Sequence, residues 1–507
     1  MLQLEQELRR FFGFSAFRPG QKEIIADVLN GHDVLAVLPT GTGKSVCYQL
    51  PGVLMKKPVL IVSPLLSLME DQTEQLKRMG FKRSVAFNSF LSMEEKKEEI
   101  QKLPDSQFIF VSPEMLQSRQ LVEMLKQVNI GLFAVDEAHC ISQWGHEFRP
   151  HYLGLAEIRK ELGNPPCLAL TATAGKKVRE DIIKYLGLAR VKLHIGSMNR
   201  KNIALVTEYA SSQEEKQKRL QNLVTSLKGP GIVYTSTRNM AEAACLLAKD
   251  AGVARTAFYH GGMEHQDRML IQKQFLLGQL DLICCTNAFG MGINKSDVRY
   301  VIHYQLPSSI EAYVQEIGRA GRDGEPALAV LLYHPQDEDI PYHFIEAELP
   351  DASLLPVLLG GDGTKQSMLE RVHQGMFTEN AARFLEYYIN REPLLMMDTQ
   401  NKKIFLDKLS RKIVKRKKDK HEQLRKLLTW VRREDCKRAS LIKLFDESGD
   451  PQHHDCCSSC QISLTAYYGR ANTVNATVGD WREELKTMFS IERGSGSESK
   501  KRAALNS

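Results

Sequence analysis

The sequence predicts an α/β protein with two tandem parallel-sheet domains followed by a helical module that carries a cysteine cluster. Between about residues 30 and 190, short apolar runs ("DVLAVLP", "PVLIVSP", "FIFVSP", "GLFAVDEAH", "CLALTATA") alternate with helical patterns. This alternation is typical of a parallel sheet covered by helices. A second series follows ("GIVYTST", "TAFYHGG", "DLICCTNAFG", "VRYVIHY", "ALAVLLY"), and residues 340–445 then become helical and basic.

These changes of pattern predict four segments. They are 1–200, 201–335, 336–465 and 466–507. In the last segment, "VGDWREELKTMF" predicts one short amphipathic helix. The end, "ERGSGSESKKRAALNS", is poor in apolar residues, so we expect it to be disordered.

Composition limits the class of protein. The chain has 507 residues, of which 43% are hydrophobic and 25% charged, as expected for a globular protein with several domains. Its net charge of +7 fits a polyanionic partner, although many enzymes with neutral partners carry as much. Because no apolar run reaches the roughly 18 residues of a membrane span, we expect no membrane partner. Scattered cysteines in apolar runs indicate a reducing compartment.

The segment "LPTGTGKS" follows an apolar strand and precedes a helix-compatible run, which is the setting of a phosphate loop. The candidate nucleotide-binding residues are Thr40, Gly41, Thr42, Gly43, Lys44 and Ser45. The glycines let backbone amides approach the phosphates, Lys44 neutralises the β and γ phosphates, and Ser45 holds Mg²⁺. Leu38 replaces the first glycine of the usual pattern. The alternative interpretation is a simple glycine-rich turn.

Two further motifs complete a candidate catalytic site. "VDEAH" ends another strand, where Asp136 is placed to position Mg²⁺ and Glu137 to activate water; His139 is a third catalytic candidate. In "QEIGRAGRDG", Arg319 and Arg322 are three residues apart, so we expect them on one face of a helix, reaching across a cleft to the γ-phosphate. The alternatives are a solvated acidic loop and a surface Arg–Glu network.

Together these motifs resemble the RecQ family of ATP-dependent DNA helicases, within helicase superfamily 2. The matching stretches are "FGFSAFRPGQ" (12–21), "TGTGKS", "SPLLSLMEDQ" (63–72), "DEAHCISQWGHEFRP" (136–150), "TATA" (171–174), "GMGINKSDVRYVIHY" (290–304) and "QEIGRAGRDG" (315–324). The resemblance implies two RecA-like domains. Because 47 residues follow Cys460, we expect a short bacterial-type form without winged-helix and accessory helical domains.

The resemblance also assigns roles by position. Phe14, Arg18 and Gln21 match the adenine-recognition segment, and Thr171 and Thr173 match the motif that links the ATP state to domain movement. The family motif that lies at the interdomain cleft is matched here by Gly290, Gly292, Asn294 and Asp297. Of these, we count Asp297 as a nucleotide contact.

In the family, the segment after DEAH is an aromatic-rich loop that couples binding of single-stranded DNA to ATP hydrolysis. The candidate DNA contacts here are Ser142, Trp144, His146, Phe148 and Arg149. Aromatic rings offer sequence-tolerant stacking worth ~1–3 kcal/mol per base, and an arginine adds a cation. The alternative is that these aromatic residues belong to the core.

Four cysteines near the C-terminus form a candidate zinc site: Cys436, Cys456, Cys457 and Cys460. Four thiolates close a tetrahedral structural site. RecQ proteins carry a zinc module here, ending in C-x-x-C-x-x-C, but Ser463 stands at the last position of that pattern. Cys456 replaces it in our ligand set. Because two adjacent ligands imply a strained backbone, His453 or His454 is the alternative ligand, and free surface thiols are the other interpretation.

The resemblance implies an ATP- and Mg²⁺-dependent helicase that moves 3′ to 5′ on single-stranded DNA and unwinds duplexes in repair and recombination. The expected partners are single-stranded and partial-duplex DNA and a single-stranded-DNA-binding protein, in the bacterial cytoplasm or, for a eukaryotic protein, the nucleus. The basic run 411–420 is a candidate phosphate contact, unless it is a solvated helix face. The alternative functions are an RNA-directed helicase, and an annealing or binding protein with a regulatory ATP site.

Overall fold

A computed structural model describes residues 2–64, 66–87, 93–142, 149–290, 295–359, 364–391, 399–447 and 456–469. Several predicted features lie outside these ranges: Trp144, His146, Phe148, Gly292, Asn294, His453, His454 and the C-terminal segment from residue 470.

Seven strands form the first sheet, and all pair in parallel. They are β1 (Val34–Val37), β2 (Val59–Val62), β3 (Ser84–Phe87), β4 (Phe108–Val111), β5 (Leu132–Val135), β6 (Cys167–Thr171) and β7 (Lys192–Ile195), in the order β3-β4-β2-β5-β6-β1-β7. The helices of this domain are α1 (Leu2–Phe12), α2 (Gln21–Leu29), α3 (Val46–Met55), α4 (Leu66–Arg78), α5 (Met93–Lys102), α6 (Arg119–Leu125), α7 (Leu155–Glu161) and α8 (Lys176–Leu186). Every residue of β1, β2, β4, β5 and β6 is buried, which explains their continuous apolar runs.

The second sheet has six strands, again all parallel. They are β8 (Ile203–Tyr209), β9 (Gly231–Tyr234), β10 (Thr256–Tyr259), β11 (Leu282–Cys285), β12 (Tyr300–His303) and β13 (Ala327–Tyr333), in the order β10-β11-β9-β12-β13-β8. Its helices are α9 (Gln213–Ser226), α10 (Arg238–Asp250), α11 (His265–Leu276) and α12 (Ile310–Ile317). The sheets are therefore joined by residues 196–202, which we call the linker.

Sequence pattern missed three strands, β3, β7 and β8, and all three lie at sheet edges. The three strands differ in burial. The first five residues of β8 and three of the four residues of β3 are buried, so edge position alone does not explain why these two were missed. In β7 the residues are exposed or half-buried throughout. The signal that identified the central strands is therefore absent there.

The region after β13 is helical, as its sequence predicts. Its helices are α13 (Asp339–Glu348), α14 (Lys365–Val372), α15 (Glu379–Arg391), α16 (Thr399–Arg432) and α17 (Lys437–Lys443). Trp430 near the end of α16 is 1% exposed and packs on Tyr313 of α12, with ring centroids 4.9 Å apart. The long helix is thus fixed to the second sheet domain. Among the described helices, none has both the length and the apolar character needed to cross a membrane.

Part of the basic run 411–420 is used inside the protein. Arg416 is 6% exposed and pairs with Glu348 of α13 at 3.5 Å. Lys417 pairs with Glu346 at 2.7 Å, and Lys420 pairs with Glu348. These three cations therefore hold α16 against α13, which corrects the expectation of one continuous phosphate-binding run. Lys415 and Lys418 are exposed.

Candidate active site and cysteine cluster

Three candidate segments meet at the carboxyl edge of the first sheet. The phosphate loop follows β1, Asp136 follows β5, and Thr171 ends β6, the strand between them. The backbone N–H of Leu38 donates to the carbonyl oxygen of Thr171 (2.9 Å), which ties the start of the phosphate loop to β6. Parallel sheets bind ligands at this edge, so the topology brings the predicted nucleotide and acid motifs together.

The phosphate loop has the backbone that its glycines permit. Gly41 and Gly43 have φ angles of 84° and 73°, in the left-handed region that favours glycine. The Thr42 hydroxyl donates to the carbonyl oxygen of Pro39 (2.7 Å), and α3 begins directly after Ser45. Lys44 and Ser45 therefore lie at the N-terminal end of a helix, where backbone N–H groups favour an anion.

Gln21 and Arg18 are bound to the phosphate loop itself. The Gln21 amide nitrogen donates to the carbonyl oxygens of Thr42 (2.8 Å) and Gly43 (2.9 Å), and Arg18 donates to that of Gly41. Both donors of the predicted adenine-binding amide are thus used in shaping the loop. Phe14 is 48% exposed.

The acid pair after β5 is buried and its backbone is strained. Glu137 has φ 45° and ψ 47°, a left-handed backbone conformation that residues other than glycine rarely adopt. Burial and the neighbouring Glu137 carboxylate, opposed by the Lys44 ammonium, together raise the pKa of Asp136 to about 6. Such a pair attracts a cation, because a positive charge relieves the repulsion of two buried carboxylates.

His139 links the acid pair to the threonine motif on β6. Its Nδ1 lies 2.9 Å from Thr171 Oγ1 and 3.3 Å from Glu137 Oε2. The Thr171 hydroxyl in turn donates to the carbonyl oxygen of Thr173 (3.2 Å). Direct contacts therefore connect Glu137 to β6 through His139 and Thr171.

Arg319 and Arg322 lie in turns after α12 and not on a helix, which corrects the sequence prediction. The helix ends at Ile317, with Gly318 as its C-cap. We call residues 318–322 the arginine turn. Arg322 packs on the phosphate loop, since a Cβ at Gly41 would lie 2.8 Å from Arg322 Cγ. Arg319 donates to the carbonyl oxygen of Gly290, at the cleft motif of the second domain.

The cleft gathers four arginines. Burial, together with the nearby Arg319, Arg200 and Arg18, lowers the pKa of Arg322 to about 9. Arg319 is 5% exposed, and its Nε has no hydrogen-bond partner among the described residues. Buried cations without a compensating anion are costly. The cleft is therefore chemically suited to a polyphosphate.

Asp297, which was predicted to contact the nucleotide, forms an ion pair with a neighbouring lysine. Its carboxylate is 55% exposed and lies 3.1 Å from the ammonium of Lys295, which is itself buried. The observed partner of Asp297 is thus a lysine of its own motif.

The described ends of the aromatic-rich loop are anchored beside the acid pair. Ser142 is fully buried and its hydroxyl donates to Asp181 of α8 (2.6 Å), so it anchors the loop instead of facing a ligand as predicted. The backbone N–H of Arg149 donates to the carbonyl oxygen of Cys140 (2.8 Å), and its guanidinium donates to that of Pro64 (2.9 Å). The two described ends of the loop are therefore held next to each other.

The four predicted cysteines converge. Their sulfur atoms all lie within 4.8 Å of one another. Cys436 Sγ lies 3.6 Å from Cys456 Sγ and 3.8 Å from Cys457 Sγ. In a tetrahedral zinc site with Zn–S bonds of about 2.3 Å, the sulfurs are about 3.8 Å apart. Cys457 has an ordinary extended backbone (φ −163°), so the strain expected for adjacent ligands is not found at this residue.

The cluster is joined to the edge of the second sheet. The N–H of Leu205 on β8 donates to the carbonyl oxygen of Cys456 (3.1 Å), and that of Thr207 donates to the Ser458 hydroxyl (3.3 Å). Burial alone would raise the pKa of the Cys457 thiol, but hydrogen bonds from the backbone N–H groups of Lys437 and Arg438 hold that pKa below its ordinary value. The thiolate, the form that binds metals, is thereby favoured.

Sequence reasoning missed two contacts between the sheet domains. Gln272 of α11 donates to the Asp71 carboxylate of α4 (2.7 Å). Arg200, in the linker, contacts both the phosphate loop and the arginine turn. Neither residue belongs to a pattern with recognisable spacing, because each acts through tertiary contacts alone.

Comparison with protein families and solved structures agrees with this geometry. Residues 18–182 match the DEAD/DEAH box helicase family, and residues 215–324 match the helicase conserved C-terminal domain. The DNA-bound helicase MrfA shares the fold at 18% identity, with a TM-score of 0.57 over 67% of this chain and 52% of its own. Both sheet domains are thus RecA-like helicase domains.

Relatives of known name extend the match to the whole chain. A protein of Bacillus subtilis named probable ATP-dependent DNA helicase RecS is 43% identical over 97% of this chain and 99% of its own length. The ATP-dependent DNA helicase RecQ of Haemophilus influenzae is 41% identical over 65% of this chain, which spans about half (53%) of that protein. On its motifs, fold and sequence, this chain belongs to the RecS/RecQ family of ATP-dependent DNA helicases.

Proposed function

We propose that this protein translocates 3′ to 5′ on single-stranded DNA and unwinds duplex DNA in repair and recombination. The observation that carries the proposal is the cleft itself, in which the arginine turn of one domain packs on the phosphate loop of the other. A contact that depends on the relative position of two domains converts hydrolysis into movement, because loss of the γ-phosphate removes the anion that the arginines share. The direction of movement is inferred from the family resemblance.

In this proposal, each cleft residue acts on ATP or on its attacking water. Lys44 and the N-terminal end of α3 bind the phosphates, Glu137 orients and deprotonates the water, and Arg319 and Arg322 stabilise the charge that develops on the γ-phosphate. Ser45 and Asp136 would hold Mg²⁺, which neutralises phosphate charge when bound.

The cysteine cluster is proposed to be a structural zinc site formed by Cys436, Cys456, Cys457 and Cys460. Its sulfur spacing suits a tetrahedral metal, and four thiolates leave no open position for catalysis. The cluster would fasten the C-terminal helices to β8.

The aromatic-rich loop is proposed to bind single-stranded DNA through Trp144, His146 and Phe148. The anchoring of its described ends beside Asp136 and Glu137 supports a coupling role, since DNA bound to the loop would act directly on the acid pair. A Trp144→Ala variant should hydrolyse ATP at the basal rate but lose most of its stimulation by DNA. Stimulation that survives this change would remove the loop from the coupling mechanism.

We further propose a bacterial cytoplasmic protein that works beside a single-stranded-DNA-binding protein. The similarity to a Bacillus subtilis protein over nearly all of the chain supports a bacterial cytoplasmic location. A helicase produces single-stranded DNA, which is the ligand of a single-stranded-DNA-binding protein.

Unwinding assays with tailed duplexes test the proposal. The protein should separate a duplex with a 3′ single-stranded tail in the presence of ATP and Mg²⁺ and leave a 5′-tailed duplex largely intact, whereas Glu137→Gln should separate neither. Preference for the 5′ tail would overturn the direction. ATP-independent pairing of complementary strands, without unwinding, would favour an annealing protein.

A further inference from the structure

One side chain of the linker contacts both sheet domains. The guanidinium of Arg200 donates to four carbonyl oxygens, those of Thr40, Gly318, Ala320 and Gly321, at 3.1, 3.2, 3.0 and 2.7 Å. The first acceptor belongs to the phosphate loop and the other three to the arginine turn. Arg200 therefore joins the two halves of the candidate ATP site.

The chemistry of this contact requires an arginine. Gly318 is the C-cap of α12, where carbonyl groups lack intrahelical donors and carry partial negative charge, and Ala320 and Gly321 follow it in the arginine turn. A planar guanidinium has donors enough for these carbonyls and for the phosphate loop at once, whereas the ammonium of a lysine is a compact point charge. Arg200 thus satisfies the end of α12 while it fixes the distance to Thr40.

The linker is itself held from behind by the C-terminal module. Arg438 of α17 donates to the Asn199 side chain (3.0 Å) and to the carbonyl oxygen of Arg200 (2.9 Å). Glu447 accepts from the backbone N–H of Met198 (2.6 Å). The backbone from which Arg200 extends is therefore fixed, so the position of its guanidinium is set by the fold.

We propose that Arg200 is a positioning residue for ATP hydrolysis, which holds the arginine turn against the phosphate loop when the two domains close. This inference rests on the roles proposed for Arg319 and Arg322. It predicts that loss of Arg200 slows turnover and leaves nucleotide binding by the phosphate loop nearly unchanged.

The competing explanation is that Arg200 merely stabilises the end of α12. Asn202 provides a matched control for it. Its side-chain amide donates to the carbonyl oxygens of Gly321 (2.8 Å) and Glu325 (2.9 Å), so its hydrogen bonds with described residues stay in the second domain. Removing Asn202 weakens the same turn, at the Gly321 carbonyl that Arg200 also uses, but leaves the contact of Arg200 with Thr40 in place.

The test compares Arg200→Ala, Arg200→Lys, Asn202→Ala and Arg322→Ala in the full-length protein. For each variant we would measure kcat and KM for ATP with saturating oligo-dT, the affinity for a fluorescent ADP analogue, and the melting temperature. Arg200→Ala should lower kcat on the order of 100-fold, as small displacements of catalytic groups do, with KM and ADP affinity changed less than about threefold. Arg200→Lys should recover little of this loss, and Asn202→Ala should keep kcat within about threefold.

Three kinds of result would overturn the inference. The first is an equal loss of kcat in Arg200→Ala and Asn202→Ala, in proportion to their loss of thermal stability. The second is a defect in Arg200→Ala that is confined to KM and ADP affinity. The third is a kcat in Arg200→Ala that is unchanged or raised. If Arg322→Ala lowers kcat in that third case, only the role of Arg200 fails, whereas an unchanged kcat in both variants means that the proposed role of the arginine turn fails as well.

Discussion

Arg322 of the second domain and Gly41 of the first are in direct contact, and a methyl group added at Gly41 would lie 2.8 Å from Arg322 Cγ. This contact places a half-buried arginine beside the loop that is proposed to bind the phosphates. Because Arg322 lies among other arginines that lower its pKa, an anion in the cleft would remove a substantial electrostatic cost.

Arg322→Ala should lower DNA-stimulated kcat by about 10³-fold or more, the usual contribution of an arginine finger. Binding of ADP should change little, because ADP lacks the γ-phosphate on which the guanidinium acts. Steady-state kinetics and ADP titration measure the two effects. A variant that loses ADP binding in proportion to kcat would show that Arg322 acts mainly on the ground state.

Gly318→Ala should separate the phosphate loop from the arginine turn, because a Cβ at Gly318 would overlap the Thr40 hydroxyl. We expect kcat to fall by on the order of 10- to 100-fold. Gly175→Ala is the matched control, since a Cβ there meets no atom within 4 Å and the backbone has an ordinary φ of −65°. Equal kcat in the two variants would mean that the domains need not close this tightly.

The purified protein should contain about one zinc per chain. Cys456→Ser should lose the metal and lower the melting temperature, because the cluster joins α17 to β8. A double variant with alanine at His453 and His454 should retain the metal. Metal analysis and thermal melts of the wild type, Cys456→Ser and this double variant check the ligand set. Loss of zinc only in the double histidine variant would mean that Cys456 is not a ligand.

Charge reversal at the exposed Lys415 and Lys418 should weaken DNA binding and reduce the salt slope of the affinity by about 2. Arg416→Glu should instead destabilise the fold, because Arg416 is buried and paired with Glu348. DNA titrations at several salt concentrations and thermal melts separate the two effects. An unchanged salt slope in the double variant would exclude this helix from the DNA contact.

The raised pKa of Asp71 predicts that its contact with Gln272, between the two sheet domains, depends on pH. Burial, together with the Glu74 and Glu70 carboxylates, raises the pKa of Asp71 to about 6. An acid whose pKa is raised in the folded state stabilises that state when protonated, and this stabilisation is lost as the pH rises through about 6. Asp71→Asn should therefore melt at a higher temperature than the wild type at pH 8. The difference should shrink as the pH falls below about 6, and a constant difference would contradict the assignment.

Much of this site was predictable because its chemistry is local in sequence. The phosphate loop, the acid pair and the four cysteines were each identified from residue type and spacing, and the topology then brings their strands together. The orientation of side chains was not predictable. Ser142 is buried on Asp181, and Gln21, which was predicted to recognise adenine, donates to the phosphate loop.

The interdomain contacts were not predictable at all. Arg200 follows an edge strand that the sequence pattern missed, and its four acceptors are backbone carbonyls, which leave no trace in the residue types around them. Likewise, Gly318 ends α12 and so moves Arg319 and Arg322 from the helix into turns, a change that a three-residue spacing does not reveal.

The steady-state rate of ATP hydrolysis, measured without nucleic acid, with oligo-dT and with oligo-U, tests most directly whether this cleft powers a DNA motor. The predicted result is strong stimulation by oligo-dT, weak stimulation by oligo-U, and loss of hydrolysis in Glu137→Gln under all three conditions. Hydrolysis that neither polymer stimulates, or that persists in Glu137→Gln, would contradict the account.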